Sequence, residues 1–219
     1  MKKVWAIVLK DLSLEKRSRE MLGSMFIFGL IVILIFSFSF DLRVQDASQV
    51  APGVLWVAIT FAGMLGLGRS FVLERDQGCM DGLLLCPVDR TVLYLGKMIG
   101  NLLFISMTDL IILPLCFALF NLAFDWRLLL VILLGTLGFS SVGTLISAMT
   151  VHARAREVML PILLFPIVMP LLIAAVKLTA GILDGQTFAE MKRWIQLLVS
   201  FDIIFLTASY LAFDFVVEE

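Results

Sequence analysis

Apolar residues in this chain gather into six long runs, at 22–40, 52–73, 99–120, 128–149, 159–176 and 194–213. As a helix rising about 1.5 Å per residue, each is long enough to cross roughly 30 Å of hydrocarbon. Ahead of the first run the pattern becomes amphipathic. Trp5, Val8, Leu9 and Leu12 fall at i, i+3, i+4 and i+7, among Lys2, Lys3, Lys10, Lys16, Arg17 and Arg19. A basic helix with tryptophan in its apolar stripe belongs in the headgroup plane; its plainer reading is a positively charged anchor, and the two are compatible. The pattern therefore predicts an all-α, polytopic membrane protein. It has six transmembrane helices and an N-terminal amphipathic interfacial helix over 1–20, in one domain over 1–219.

One internal stretch, 74–97, breaks the pattern with charge and punctuation: E-R-D-Q-G-C-M-D-G-L-L-L-C-P-V-D-R-T-V-L-Y-L-G-K. Gly78 and Gly82 permit sharp backbone geometry, and Pro87 stops a helix from running through. Met80, Leu83 and Leu84 fall at i, i+3 and i+4, with Asp76, Asp81 and Asp89 on other faces. This predicts a short amphipathic helix on the membrane surface, closed by Pro87. Asp89 is then placed to cap a new helix rising through Val92, Leu93 and Leu95. The plainer alternative is an ordinary loop that happens to be amphipathic.

Composition agrees with the membrane assignment. The 219 residues are 61% hydrophobic and 16% charged, with a mean hydropathy of +1.04; a soluble domain is roughly half apolar and a quarter charged. The net charge of −1 and the lack of a basic arm give no sign of nucleic-acid binding. Lysine and arginine set the orientation. With the N-terminus inside, the cytoplasmic side holds twelve of the seventeen: the six N-terminal ones, then Arg69, Arg75, Arg90, Lys97, Arg154 and Arg156. The outer side keeps Arg43, Arg127, Lys177, Lys192 and Arg193. Both termini and the 74–97 loop are thus expected in the cytoplasm. The first run begins at Leu22 with no A-x-A site after it, which predicts a retained span rather than a cleaved signal peptide.

Three features mark the later spans. Thr136, Ser140, Thr144 and Ala148 form a stripe of small residues four apart, beside Gly143 and Ser147. Such a stripe allows close helix packing, within the chain or across a dimer. Pro161, Pro166 and Pro170 each remove a hydrogen bond from the fifth span, so a kinked or broken helix is expected, acting as a hinge or as a mere bend. The stretch 177–193 reads as the longest outer loop, with Met191, Trp194 and Ile195 returning it to the membrane surface.

Two acids fall inside spans. Asp109 lies twelve residues past Lys97, and Asp202 nine past Arg193. An ionised carboxylate at mid-bilayer costs roughly 2.5–3.5 kcal/mol, so each should face protein or a polar cavity. They form either a polar seam that rearranges during transport, or quiet groups protonated or bonded to neighbours such as Asn101, Ser106 and Thr108. Arg69, near the inner end of the second span, is a further candidate partner.

Several chemistries fail on inspection. Gly63-x-x-x-x-Gly68-Arg69-Ser70 imitates a phosphate-binding loop, but arginine replaces the lysine and the motif sits within a transmembrane run. The single histidine, His152, belongs to a cytoplasmic His-Ala-Arg-Ala-Arg loop, against both an intramembrane serine protease and a haem held by two histidines of this chain. Cys79, Cys86 and Cys116 form no C-x-x-C and no metal-site spacing with histidine. No catalytic or metal site is expected.

The 74–97 segment resembles the signature of type-2 ABC exporter permeases, where E-R-x-x-G-x-x-x-x-L-L-x-x-P ahead of G-K forms the coupling helix. More closely, the chain is similar to the haem exporter protein B family, the membrane subunit of the cytochrome c maturation ABC transporter. The matching stretches are A-P-G-V-L-W-V-A (51–58), P-V-D-R-T-V-L-Y-L-G-K (87–97) and L-P-I-L-L-F-P-I-V-M-P-L-L-I-A-A (160–175). With the length, six spans and basic first helix, the resemblance covers the whole chain.

That resemblance implies a homodimeric permease in a bacterial inner membrane, bound to two copies of a cytoplasmic ABC ATPase subunit that carries the ATP. It also implies a haem-handling membrane protein and a small membrane peptide as partners. Haem is then a possible cargo, not a cofactor of this chain. In the ATPase-coupling loop, Met80, Leu83 and Leu84 are expected in an ATPase groove, with Glu74, Arg75, Asp76 and Asp81 setting the register between Gly78 and Pro87. Two accounts of the work done stand side by side: haem export, or release of a haem-loaded chaperone. The alternatives are an ABC permease for another cargo, such as a glycan or drug, and a proton-coupled secondary transporter using Asp109 and Asp202.

Overall fold

The apolar runs fold as helices because a bilayer offers no hydrogen-bond partners to an open backbone. The computed structural model describes residues 2–41, 49–72, 89–151, 153 and 155–216. Among these it holds seven helices and no strand: α1 (Lys2–Ser18), α2 (Glu20–Asp41), α3 (Ala51–Ser70), α4 (Arg90–Phe120), α5 (Arg127–Thr150), α6 (Arg156–Leu183) and α7 (Lys192–Val216). The last six are long and apolar enough to cross a membrane, as their hydropathy predicts.

Helix lengths depart from the apolar runs where polar residues continue a helix beyond hydrocarbon. α4 starts at Arg90, not at 99, and its 31 residues span about 46 Å, well over the roughly 30 Å of a bilayer core. α6 continues to Leu183, so 177–183 is helix and only the short connection before Lys192 lies outside it. Met191 is 1% exposed, and Trp194 and Ile195 pack against the core, so this segment turns into the bundle and not onto the membrane surface. α6 is also one continuous helix through Pro161, Pro166 and Pro170, unbroken despite the three missing donors.

α3 and α5 form the centre. Both bury most of their residues, and α5 packs against α3, α4, α6 and α7. α2 and α6 lie against α3, while α1 docks mainly on α4. The small-residue stripe of α5 is consumed within the chain, against α4. Thr136 Oγ1 donates to Asp109 (3.0 Å), Ser140 Oγ to the Met98 carbonyl (3.0 Å), and Asn101 Nδ2 to Thr144 Oγ1 (2.9 Å). On the neighbouring face, Ser147 Oγ donates to the Leu67 carbonyl of α3 at 2.6 Å. Trp56 Nε1 ties α3 to α6 through Thr179 Oγ1 at 2.9 Å. Each such bond satisfies a buried polar group that lipid could not.

Candidate coupling site

The loop residues singled out from the sequence, Glu74, Arg75, Asp76, Gly78, Met80, Asp81, Leu83, Leu84 and Pro87, lie outside the described residues. What is described is the frame from which that loop departs and to which it returns. The chain leaves through Ser70 and Phe71 at the end of α3, and re-enters at Asp89 and Arg90. Asp89 does hold the N-cap position of α4, but its side chain makes no capping bond. Its carbonyl instead accepts the Val92 N–H at 2.9 Å.

Lys97 locks the two roots together. It is 2% exposed; its ammonium lies 3.1 Å from Asp11 Oδ2 of α1 and donates to the Ser70 carbonyl at 3.1 Å. The same ammonium stands 5.3 Å from the centre of the Phe71 ring. A cation this buried persists only when paired and hydrogen-bonded, and here its partners come from α1 and from the end of α3. The preceding residue explains the close approach: a β-carbon at Gly96 would sit 2.9 Å from Ile7 Cβ. Ile7 and Asp11 are one turn apart on α1, so they meet Gly96 and Lys97 as a pair. The G-K dipeptide that ends the loop segment is thus the dock for the N-terminal helix.

Around this lock the helix ends are packed tightly. Phe71, Leu93, Tyr94, Met98, Ala148, Val151 and Phe213 form a buried cluster drawn from α3, α4, α5 and α7 with their flanking residues. The Tyr94 hydroxyl is 2.9 Å from Ser141 Oγ, and Arg90 donates to the Asp214 carbonyl at 3.2 Å. A cavity of about 60 Å³ lies beside the ion pair, bounded by Glu15, Arg69 and Asn101 among others. Any displacement of the loop roots is therefore carried into four helices at once.

The amphipathic stripe of α1 divides between two environments. Val8 is fully buried and Leu12 packs on the core, whereas Trp5 and Leu9 stay about half exposed. Glu15, one turn beyond Asp11, is 7% exposed and accepts the Leu22 N–H at 2.8 Å. It thereby caps α2 across Arg19, whose φ of 55° separates the two helices. The face of α1 toward the bundle thus carries carboxylates as well as apolar residues.

The intramembrane polar residues do not form one seam. Asp109 bonds through Oδ2 to Thr136 of α5, not to Asn101, Ser106 or Thr108. Asp202 is 5% exposed and sits over Gly138, where a β-carbon would strike its Oδ1 and lie 2.9 Å from Leu171 Cδ1. Thr136 and Gly138 are two residues apart on α5, so the two acids flank that helix on opposite sides at similar depth. Arg69 partners neither: it faces Glu20 of α2 at 3.8 Å, with both side chains more than half exposed. Cys116 is buried, and the described residues hold no group of three or more His, Cys, Asp and Glu side chains fit for a metal.

Comparison with known proteins places the chain. It matches the family described as "CcmB protein" over residues 2–218. It is 29% identical over 200 residues to "Heme exporter protein B" of Pseudomonas aeruginosa, covering 89% of each chain. A protein of the same description from Rhodobacter capsulatus is 29% identical over 183 residues, 82% of this chain and 84% of the relative. That of Haemophilus influenzae is 29% identical over 171 residues, 77% of each.

Proposed function

The chain belongs to the CcmB family, and on that premise we propose that it is the membrane subunit of an ABC transporter that serves haem export or delivery in c-type cytochrome biogenesis. The observation that carries this reading is the match over nearly the whole chain to relatives described as "Heme exporter protein B". ATP is bound and hydrolysed by a separate cytoplasmic subunit, which docks on the loop between α3 and α4. A haem-handling membrane protein, a small membrane peptide and a second copy of this chain complete the assembly. The bias of positive charge supports an orientation with the loop, both termini and α1 on the cytoplasmic side, and the family supports a bacterial inner membrane as the setting.

The frame supports the following mechanism. Met80, Leu83 and Leu84 anchor the loop in the ATPase, and Glu74, Arg75, Asp76 and Asp81 set its register. When the ATPase closes, the push enters at Phe71 and Arg90. Lys97 binds the end of α3, α4 and α1 to one another, so the push is shared among these three and passes through the Phe71–Tyr94–Phe213 cluster into α5 and α7. Pro161, Pro166 and Pro170 give α6 the weakened hydrogen bonding at which the far half of the bundle yields.

Complementation tests the reading. Expressed in a bacterium lacking its own haem exporter protein B, this chain should restore haem-stained c-type cytochromes. Normal membrane insertion with no restored cytochrome contradicts it and leaves another cargo as the better account.

A further inference from the structure

A groove of about 550 Å³ runs over α3, with walls from α2, α5 and α6. It is separate from the Lys97 lock, although Arg69 borders both. At one end stand Arg69 of α3 and Glu157 at the start of α6, the charged side chains of its lining. At the deep end Phe28 and Phe61 close it. The ring of Phe61 lies 6.1 Å from Phe28 of α2 and 5.6 Å edge-on to Phe165 of α6, so three aromatic rings bridge the helices there. Between the ends the wall is mainly apolar, with Leu65 and Leu160, and its two hydroxyls, Ser147 and Thr150, donate to the backbone carbonyls of Leu67 and Ile146. Phe61 and Leu65 remain 39% exposed, so the groove opens sideways into the hydrocarbon.

Its dimensions match one leaflet. Arg69 and Phe61 are eight residues apart on α3, about 12 Å of helix, against a half-core of about 15 Å. Its head is electrically mixed. Arg69 offers five N–H donors, and its ion pair among the described residues is a long, exposed contact to Glu20 at 3.8 Å, too weak to compete with a phosphate. Glu157 offers a carboxylate from the opposite helix. A purely anionic headgroup would satisfy Arg69 and be repelled by Glu157. A choline headgroup would bring a cation with no N–H to donate.

We infer that this groove is a binding site for a zwitterionic aminophospholipid of the phosphatidylethanolamine class. Its phosphate pairs with Arg69, its primary ammonium donates to Glu157, and an acyl chain lies along Leu65 and Leu160 to the Phe28–Phe61 end. Bound there, the lipid joins α3 to α6 at the edge nearest the loop roots.

The test is lipid retention by the full-length chain, purified in mild detergent and read by native mass spectrometry. Equal amounts of phosphatidylethanolamine, phosphatidylglycerol and phosphatidylcholine are supplied. The wild type should retain phosphatidylethanolamine over either competitor by about tenfold, the preference one charge-assisted contact confers. Arg69→Gln and Glu157→Gln should each lower its retention by a similar factor in monodisperse protein. Because both side chains are exposed, neither change should prevent folding; were one to do so, the headgroup preference of the wild type still decides. Equal retention of the three lipids, preference for phosphatidylglycerol, haem in place of lipid, or variants that bind like the wild type would each overturn the proposal.

Discussion

The Lys97 ammonium lies 3.1 Å from Asp11 Oδ2, almost wholly out of solvent, and this contact joins the surface helix α1 to the transmembrane helix α4. The two partners are not equally buried. The Lys97 side chain is 2% exposed and that of Asp11 12%, and Asp11 has a second cation, Lys10, at 3.3 Å. Removal of the carboxylate therefore takes from a deeply buried charge its counterion at 3.1 Å, whereas removal of the ammonium leaves an anion that water and Lys10 can reach.

Asp11→Ala should accordingly destabilise the chain by about 2–3 kcal/mol, and Lys97→Met by about 1 kcal/mol or less, because an apolar side chain of similar length refills the site. Thermal unfolding of the purified variants in detergent checks the order. Lys97→Met being the more damaging of the two would contradict this view of the pair.

The contact between Gly138 and Asp202 yields a second prediction. Gly138→Ala should cost about 1–3 kcal/mol, since the new β-carbon meets the Asp202 carboxyl and Leu171. Asp202→Ala should relieve part of that cost, and a double-mutant cycle will show the coupling. Gly23→Ala, with nothing within 4 Å of the added carbon, should be neutral or slightly stabilising. Additive effects at 138 and 202 would mean that the two helices do not meet there.

The opposite end of the bundle contributes a pH dependence of its own. Asp125 accepts from the Arg127 backbone N–H (2.9 Å), Nε (2.8 Å) and an outer guanidinium nitrogen (2.6 Å), while Arg127 donates to the Gln186 carbonyl at 2.9 Å. These bonds favour the ionised form and hold the Asp125 carboxyl below its ordinary range. Glu190 is lowered likewise by the Thr187 N–H and hydroxyl. A lowered folded-state value means the contribution is complete above the unfolded carboxylate range and fades as pH falls through the lowered value. The stability gap between wild type and Asp125→Asn should be constant above about pH 5 and close toward pH 2. A gap that widens on acidification would refute the assignment.

How much of this was legible in the sequence depended on which physical signal each element carries. The spans were readable because hydrocarbon thickness and helical rise fix the length of an apolar run. The α5 stripe was readable as a packing face because small residues four apart admit a neighbour, but its partner was not. The answering row on α4, Lys97, Asn101 and Asp109, repeats at multiples of four, and aligning two antiparallel rows would have paired Asp109 with Thr136. Lys97 is not legible as a buried group, because a positive charge near a helix end equally marks orientation. Its neighbour Gly96 was the available clue, since two such residues together suggest a close approach. Apolar positions alone define an α1 stripe that includes the exposed Trp5 and Leu9 and leaves out Asp11 and Glu15, which face the bundle. The end of α6 is not legible because Lys177 reads as an exit from the membrane, yet the helix continues to Leu183 and polar residues continue a helix as readily as they end one.

The central claim is that a separate ATPase drives this chain through the loop rooted at Phe71 and Arg90. The most direct measurement is co-purification of tagged chain from native membranes, wild type beside Leu83→Asp, with partners identified by mass spectrometry. A soluble ATPase should accompany the wild type at near-stoichiometric level and fall at least tenfold with Leu83→Asp, while membrane insertion stays normal. Undiminished ATPase on the variant, or none on the wild type, would contradict the account.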